Sequence, residues 1–276
     1  MFLYNLKIFF LRLIGYEKPL RVALLKLFSL KYKTFRPHYE TILLEASLEA
    51  KKLGYNEITV LELGVAGGNG ILSLEKYSKN IEKKLNIKIN IFGFDTGDGL
   101  PDSNMKEDVP FIWKKGQFKI NKEKLEKKIK SKIYFGDIKE TIENFVKTNP
   151  KNISAIFFDL DLYSSSKSFL DKIEIWGKFT TPRVYCYFDD LFHHNYISNF
   201  NGELLAIKEF NKANNDFKIG THIDHVADFK FPLAKNLLYT FHNFNHRDYY
   251  KYIGTDDSNL MSMDNKKITY NFFKNN

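Results

Sequence analysis

Acidic residues follow two apolar runs of the sequence. Asp159 and Asp161 come after residues 153–158, and Asp189 and Asp190 come after residues 183–188. If both runs are parallel strands of one sheet, their carboxyl ends open into the same crevice. Four carboxylates in one crevice repel one another and favour partial protonation unless a cation is present. Oxygen ligands with no cysteine nearby favour Mg²⁺ over zinc. The alternative for any one of these residues is a cap on the next helix or loop.

Such a metal could hold two vicinal hydroxyls and lower the pKa of the one that reacts. Transfer of a group to that oxygen would also require an aligned hydroxyl and a proton acceptor. His193 and His194 follow the second acidic pair and are the candidate bases, since the ordinary pKa of histidine suits this task. Asp161 is a third candidate. A pair of histidines on a loop is equally consistent with simple exposure.

A glycine-rich turn follows an earlier apolar run and reads Val60-Leu-Glu-Leu-Gly64-Val-Ala-Gly67-Gly68-Asn-Gly70. Glycines there let the backbone approach a ligand at the start of the next helix. The dinucleotide spacing G-x-G-x-x-G is not met, because Ser73 stands where a series starting at Gly68 needs its third glycine. Glu62 could hold the amino group of a methionine moiety, which dinucleotides lack. The turn therefore favours S-adenosylmethionine.

The pattern E-x-G-x-x-G-G-x-G resembles motif I of the class I S-adenosylmethionine-dependent methyltransferases. The resemblance implies that the cofactor lies against the glycine-rich turn, with its ribose at Asp95 and its adenine at Gly136 and Asp137. A helix N-cap is the alternative for Asp137. The implied contacts on the turn are Glu62, Gly64, Ala66, Gly68 and Gly70.

Four segments that occur together and in order make the resemblance more specific. They are Phe94-Asp-Thr-Gly-Asp-Gly99-Leu-Pro101, the D-L-D-L-Y-S-S-S run at 159–166, Asp189-Asp190, and Gly202-Glu-Leu-Leu-Ala-Ile-Lys-Glu-Phe210. From about residue 58 to 212 the chain resembles the macrocin O-methyltransferase family, metal-dependent enzymes that methylate sugar hydroxyls. The resemblance implies Asp161, Asp189 and Asp190 as metal ligands and Asp159 near the sulfonium end of the cofactor. The family's D-G-D reads D-L-D here.

These residues predict a Mg²⁺-dependent O-methyltransferase whose acceptor is a small molecule or glycan with hydroxyl groups, such as a sugar or polyol. One alternative is a glycosyltransferase that binds Mn²⁺ and a nucleotide-sugar through D-x-D, which explains neither Glu62 nor the glycine-rich turn. Another is a non-catalytic scaffold that docks through a basic N-terminus. Transfer of a methyl group to nitrogen or carbon is a further alternative, but neither reaction requires the cluster of four aspartates.

Alternating strand and helix patterns predict an α/β fold with a Rossmann-like, mostly parallel seven-stranded sheet and helices on both faces. The predicted domain spans residues 37–243, with a lid-like insertion at 97–121, a closing antiparallel hairpin from 217–229 and 236–242, and a packed C-terminal tail at 244–276. The predicted strands are 58–63, 90–94, 132–135, 153–160 and 183–188. The predicted helices are 37–53, 69–84, 122–131, 138–148, 164–178 and 203–214.

The net charge of +9 is unevenly distributed along the 276 residues. Residues 1–36 contain eight Lys and Arg residues against Glu17 alone, which leaves the rest of the chain near neutrality. Since no basic surface is predicted around the site, we expect no nucleic-acid partner. The single Cys186 excludes a disulfide framework and a Cys-rich zinc site.

The N-terminal residues 1–36 predict a basic amphipathic helical extension. This pattern suits the inner-membrane surface, and the alternative is a helix that docks on the domain or on a second subunit. We expect a homo-oligomer. Neither a spanning apolar segment nor a signal peptide is recognisable, so we expect a cytoplasmic protein, peripheral to the membrane if the extension binds it.

Overall fold

The computed structural model describes residues 36–191, 196–221 and 238–254. Several predictions fall outside these ranges. They concern the helical extension before Arg36, the candidate bases His193 and His194, and the tail beyond residue 254.

The described residues form helices and strands that alternate along most of the chain. The strands are β1 Glu57–Leu63, β2 Lys88–Asp95, β3 Lys132–Phe135, β4 Ile153–Phe158, β5 Thr180–Phe188, β6 Phe217–Thr221 and β7 Leu238–Asn243. The helices are α1 Pro37–Leu53, α2 Asn69–Leu85, α3 Lys122–Glu126, α4 Ile138–Val146, α5 Tyr163–Leu170, α6 Ile173–Trp176 and α7 Gly202–Ala213. Short 3-10 turns lie at Lys106–Asp108 and Gly177–Phe179.

The seven strands form one sheet in the order β3-β2-β1-β4-β5-β7-β6. The strands β1 to β5 run parallel, whereas β7 runs antiparallel to both β5 and β6. This is the Rossmann-like methyltransferase fold, so the predicted fold class and the antiparallel closing strands are confirmed, while residues 222–237 of the predicted hairpin lie outside the described ranges.

Apolar side chains of the central strands fill two cores, one on each face of the sheet. In β1, Ile58 and Val60 pack with α1 and α2, while Leu61 and Leu63 pack with α4, α5 and α7 on the other face. Alternate residues of a strand point to opposite faces. Because β1 and β4 are buried along almost their whole length, polar groups can meet solvent only where these strands end.

Two predicted helices are interrupted in the structure, and the one predicted at 138–148 ends two residues early, at Val146. The helix predicted at 122–131 ends at Glu126, and beyond it the Glu75 carboxylate accepts the main-chain N–H groups of Lys130 and Ser131 at 2.6 and 2.7 Å, which keeps these two residues out of a helix. The helix predicted at 164–178 divides into α5, α6 and a 3-10 turn. There the indole of Trp176 donates to the carbonyl oxygen of Phe169 at 3.0 Å.

None of the helices in the described ranges combines the length and the apolar character that a membrane crossing requires.

A buried ion pair joins α1, β5 and the residues that follow β7. The Arg183 Nε lies 2.6 Å from the Glu49 Oε1, and the Arg183 Nη1 donates to the carbonyl oxygen of Tyr249 at 3.1 Å. The hydroxyl of Tyr185 donates to the other oxygen of Glu49 at 3.0 Å. Removal of one partner of a buried ion pair is destabilising, because the other charge then stays buried without compensation.

We predict that Arg183→Met lowers the free energy of unfolding by about 3 kcal/mol, since it leaves the Glu49 carboxylate buried without its cation. The matched control is Lys88→Met, which removes an exposed pair with Glu57 at 2.7 Å and should cost less than about 1 kcal/mol. Urea denaturation of the three proteins measures both changes. Equal losses in the two variants would contradict the prediction.

Candidate active site at the carboxyl edge of the sheet

The register of the central strands brings the predicted motifs together. Leu63 of β1 pairs with Phe158 of β4, which pairs with Phe188 of β5. The residues that follow continue this pairing: the N–H of Asp159 donates to the Leu63 carbonyl at 2.8 Å, and the N–H of Asp189 donates to the Phe158 carbonyl at 3.0 Å. The glycine-rich turn and both acidic segments therefore meet at one edge of the sheet.

Two glycines of the turn, Gly64 and Gly70, are required by contacts within the protein. Gly64 has a φ of +85°, and a Cβ there would lie 1.7 Å from the carbonyl oxygen of Asp159. A Cβ on Gly70 would lie 1.7 Å from the Glu62 Oε1. Any larger residue would thus displace a neighbouring strand end or a buried carboxylate, whether or not a ligand is bound.

A cavity of about 390 Å³ opens at this edge. Gly64 and Ala66 form part of one wall, and five carboxylates face the interior, namely Asp95, Asp159, Asp161, Asp189 and Asp190. The predicted insertion supplies another wall through Gly99, Leu100, Pro101, Trp113 and Phe118. The interior is thus acidic on the side of the sheet and largely apolar on the side of the insertion.

A second cavity of about 640 Å³ continues from the first past Asp95. It reaches Gly136 and Asp137, which the sequence predicts at the adenine end of a cofactor. The Asp137 carboxylate caps α4 by accepting the N–H of Lys139 at 2.8 Å. The structure therefore shows the capping alternative for Asp137, while the residue still lines the cavity.

Asp95 lies where the two cavities meet. Its Oδ2 accepts the N–H groups of Val65 and Ala66, each at 2.9 Å, and its Oδ1 accepts the N–H of Gly97 at 2.6 Å. Asp95 thereby holds the glycine-rich turn against the start of the insertion. Each carboxylate oxygen has two acceptor sites, so Oδ1 can still receive a ligand hydroxyl.

Glu62 lies behind the glycine-rich turn and does not line either cavity. It is 1% exposed, and burial raises its pKa to about 8. The hydroxyl of Tyr39 donates to its Oε1 at 3.1 Å, whereas its Oε2 has no hydrogen-bond partner in the described part of the chain. The predicted contact with a ligand amino group would thus require that this buried oxygen become accessible.

Three carboxylates are close enough together to share a cation. Oxygens of Asp159, Asp161 and Asp190 all lie within 4.8 Å of one another, and the N–H of Asp161 donates to the Asp190 Oδ2 at 2.8 Å. Burial and the neighbouring carboxylates raise the pKa of Asp161 to about 8 and the pKa values of the other two well above their usual range. A set of hard oxygen donors under mutual repulsion fits Mg²⁺.

This triad differs from the predicted ligand set by one residue. The resemblance implies Asp161, Asp189 and Asp190, whereas the structure groups Asp159 with Asp161 and Asp190. The hydroxyl of Tyr187 donates to the Asp189 Oδ1 at 2.5 Å, and Tyr187 stacks on His38 with ring centroids 4.7 Å apart. The Asp189 carboxylate is therefore hydrogen-bonded to a side chain of the strand that it follows, β5, although it still lines the cavity.

Sequence analysis missed Glu203, a fully buried residue of α7. The hydroxyl of Ser166 donates to its Oε1 at 3.3 Å, and its Oε2 has no partner among the described residues. Burial, followed by the charge of Asp190, raises the pKa of this carboxyl well above its usual range. The signal was present, because Glu203 is the second residue of the segment 202–210 that supports the resemblance.

Asp108 of the insertion was also missed. It is 1% exposed, its Oδ1 accepts the N–H of Ser164 at 2.6 Å, and its Oδ2 accepts the hydroxyl of Ser103. Ser164 belongs to the first turn of α5, where helix N–H groups lack partners within the helix. The insertion is therefore attached to the helix that follows the D-L-D segment.

Comparison of the sequence with protein-family models and with curated proteins gives no match. Among solved structures, that of CalS11, described as a calicheamicin methyltransferase, aligns with a TM-score of 0.50 and 21% identity over 76% of this chain and 81% of that chain. This likeness shows the fold.

Two further structures align less well. An apo structure of CalS11, described as a TDP-rhamnose 3′-O-methyltransferase of calicheamicin biosynthesis, has a TM-score of 0.41 and 19% identity over 75% of this chain and 81% of that chain. An O-methyltransferase from Bacillus cereus in complex with S-adenosylhomocysteine (SAH) has a TM-score of 0.37 and 13% identity over 73% of this chain and 79% of that chain.

The buried carboxyl of Glu62 should make stability depend on pH. Glu62 ionises at its ordinary pKa in the unfolded chain but near pH 8 in the folded protein, so the folded state binds the additional proton between these values. The free energy of unfolding should therefore fall as the pH rises from about 5 to 8, and Glu62→Gln should fall less steeply. Urea denaturation across this range, without divalent ions, measures both slopes.

Glu57→Gln is the matched control for this prediction. The pKa of the Glu57 carboxyl is lowered by its hydrogen bonds to Lys88 and Asn90, so its contribution changes only at more acidic pH. The control should keep the slope of the parent protein between about pH 5 and 8. A Glu62→Gln variant with the same slope as the parent would contradict the prediction.

Proposed function

We propose that the protein is an S-adenosylmethionine-dependent O-methyltransferase that acts on a hydroxyl of a sugar or other polyol with the help of Mg²⁺. One observation carries the proposal: a triad of carboxylates lies beside the glycine-rich turn at the carboxyl edge of a methyltransferase fold. A fold alone does not assign an activity. The carboxylates at this edge and the motif resemblance support the narrower assignment, a metal-assisted O-methyltransferase.

The two joined cavities suit the shape and charge of the proposed cofactor. Gly136 and Asp137 would border its adenine, and Asp95 would receive its ribose hydroxyls. The methionine part would then lie in the acidic cavity with Asp159. Carboxylates there favour the positive sulfonium and ammonium groups. When bound, S-adenosylmethionine supplies an electrophilic methyl group.

The acidic triad would hold the metal, and a bound Mg²⁺ would lower the pKa of a coordinated hydroxyl. The chain itself must align the acceptor oxygen and exclude water. Trp113 and Phe118 place aromatic surface over the cavity, and a site closed to water strengthens the interactions inside it. His193, His194 and Asp161 are the proposed candidates for the proton acceptor.

The first experiment is a calorimetric titration of the purified protein with SAH, in Mg²⁺ and then in EDTA. Binding with a micromolar Kd supports the cofactor class, and methyl transfer from labelled cofactor to sugar nucleotides and free sugars then tests the acceptor. If SAH fails to bind while a nucleotide-sugar binds with Mn²⁺, the proposal is overturned in favour of a D-x-D glycosyltransferase.

We predict that Asp161→Asn and Asp190→Asn each lower kcat by about 100-fold or more and leave the Kd for SAH within a few-fold. The reason is that these carboxylates would act on the acceptor and metal rather than on the bound cofactor. Asp171→Asn is the control, because Asp171 is 57% exposed and pairs with Lys167 outside the cavity. A comparable loss of SAH affinity in the first two variants would assign them to the cofactor site instead.

A further inference from the structure

Arg36 gives the acidic cavity a cationic group. It directly precedes α1, its side chain is 28% exposed, and it lines the cavity of about 390 Å³. Among the lining residues that the structure describes, it is the only Lys, Arg or His, and it faces five carboxylates. An arginine in this position is a candidate to bind an anionic part of a ligand.

Tyr39 of α1 holds this guanidinium in place, and Tyr77 of α2 binds the main chain of Arg36. The Arg36 Nη1 donates to the hydroxyl of Tyr39 at 3.0 Å, and that hydroxyl donates in turn to the Glu62 Oε1 at 3.1 Å. The guanidinium also lies 4.9 Å from the centre of the Tyr39 ring. The main-chain N–H of Arg36 donates to the hydroxyl of Tyr77 at 3.3 Å. Both the backbone and one end of the side chain are therefore anchored.

Among the described residues, the other donors of the guanidinium have no hydrogen-bond partner. The nearest acid, Asp159, lies 3.8 Å away from Nη1, which is too long for a hydrogen bond. The Nε and Nη2 atoms make no hydrogen bond to any residue in the described ranges. Because a guanidinium presents its N–H groups as a planar fork, an anchored one is ready to bind a carboxylate through two parallel bonds.

We propose that Arg36 binds the α-carboxylate of the cofactor's methionine moiety; this rests on the proposed function. The methionine end carries an ammonium and a carboxylate. The acidic wall attracts the first and repels the second, so the carboxylate needs a cation. Arg36 is the cation that the described wall supplies. Sequence analysis counted it with the basic extension, whereas the structure places it in the cavity.

The test compares SAH with 5′-methylthioadenosine, which keeps the adenosine and the thioether but lacks the amino-acid end. Calorimetry should show that Arg36→Met weakens SAH binding by about 10-fold or more, and that its affinity for 5′-methylthioadenosine stays within about 2-fold of the parent. Arg36→Lys keeps the charge but loses the fork, so its loss should be intermediate. Arg247→Met is the matched control, since Arg247 is 85% exposed, and it should change neither affinity.

Three other outcomes would overturn the assignment. Equal weakening of both ligands by Arg36→Met would mean that Arg36 maintains the shape of the cavity rather than binding the carboxylate. Unchanged SAH binding with a raised KM for the acceptor would assign the guanidinium to an acceptor anion, such as the phosphate of a nucleotide-sugar. If the parent protein binds neither ligand, the proposed function itself fails, and this outcome is distinct because it does not depend on the variant.

Discussion

The close approach of the Gly64 backbone to the carbonyl oxygen of Asp159 determines the geometry of the candidate site. With no Cβ to intervene, β1 and β4 stay in register through their last residues, and the chain turns away from β1 with a positive φ. The glycine-rich turn then lies directly beside the first acidic segment, and pairing of β4 with β5 adds the second. The crevice thus depends on this close approach of two main chains and on the pairing of β4 with β5.

Charge is the second constraint on this crevice. Five carboxylates line the cavity, and burial together with mutual repulsion raises the pKa values of Asp159, Asp161 and Asp190. Such an arrangement costs stability in the absence of a ligand, so it is typical of a functional site. A divalent cation at the triad and a sulfonium cofactor beside it would both relieve the repulsion. Arg36, held by Tyr39, offsets part of it in the protein alone.

Sequence patterns predicted most of the framework, because the strand ends carry their own signals. Apolar runs followed by glycine or aspartate identified the carboxyl ends of β1, β2, β4 and β5, and the order of the motifs implied the fold. Local sequence patterns did not predict where a contact with another element interrupts a helix. The Glu75 carboxylate of another helix takes the N–H groups of Lys130 and Ser131 out of the predicted helix, and nothing between residues 122 and 131 could reveal this contact.

Individual roles at the site were harder to predict, since they depend on burial. Glu62 occupies the expected position in the motif, yet the packing of Tyr39 and Gly70 places it behind the wall of the cavity. Asp159, Asp161 and Asp190 group together, whereas the Asp189 carboxylate accepts the Tyr187 hydroxyl, and only the folded chain shows this difference. Arg36 looked like one more charge of a basic segment, because only the folded chain shows what lies opposite it.

The bond from Ser164 to Asp108 couples two parts of the molecule that sequence distance separates. Asp108 belongs to the segment that borders the apolar side of the cavity, and Ser164 follows Asp161 by three residues. The apolar wall of the cavity is therefore tied to the helix that follows its acidic wall, so neither wall can be displaced without straining this one bond.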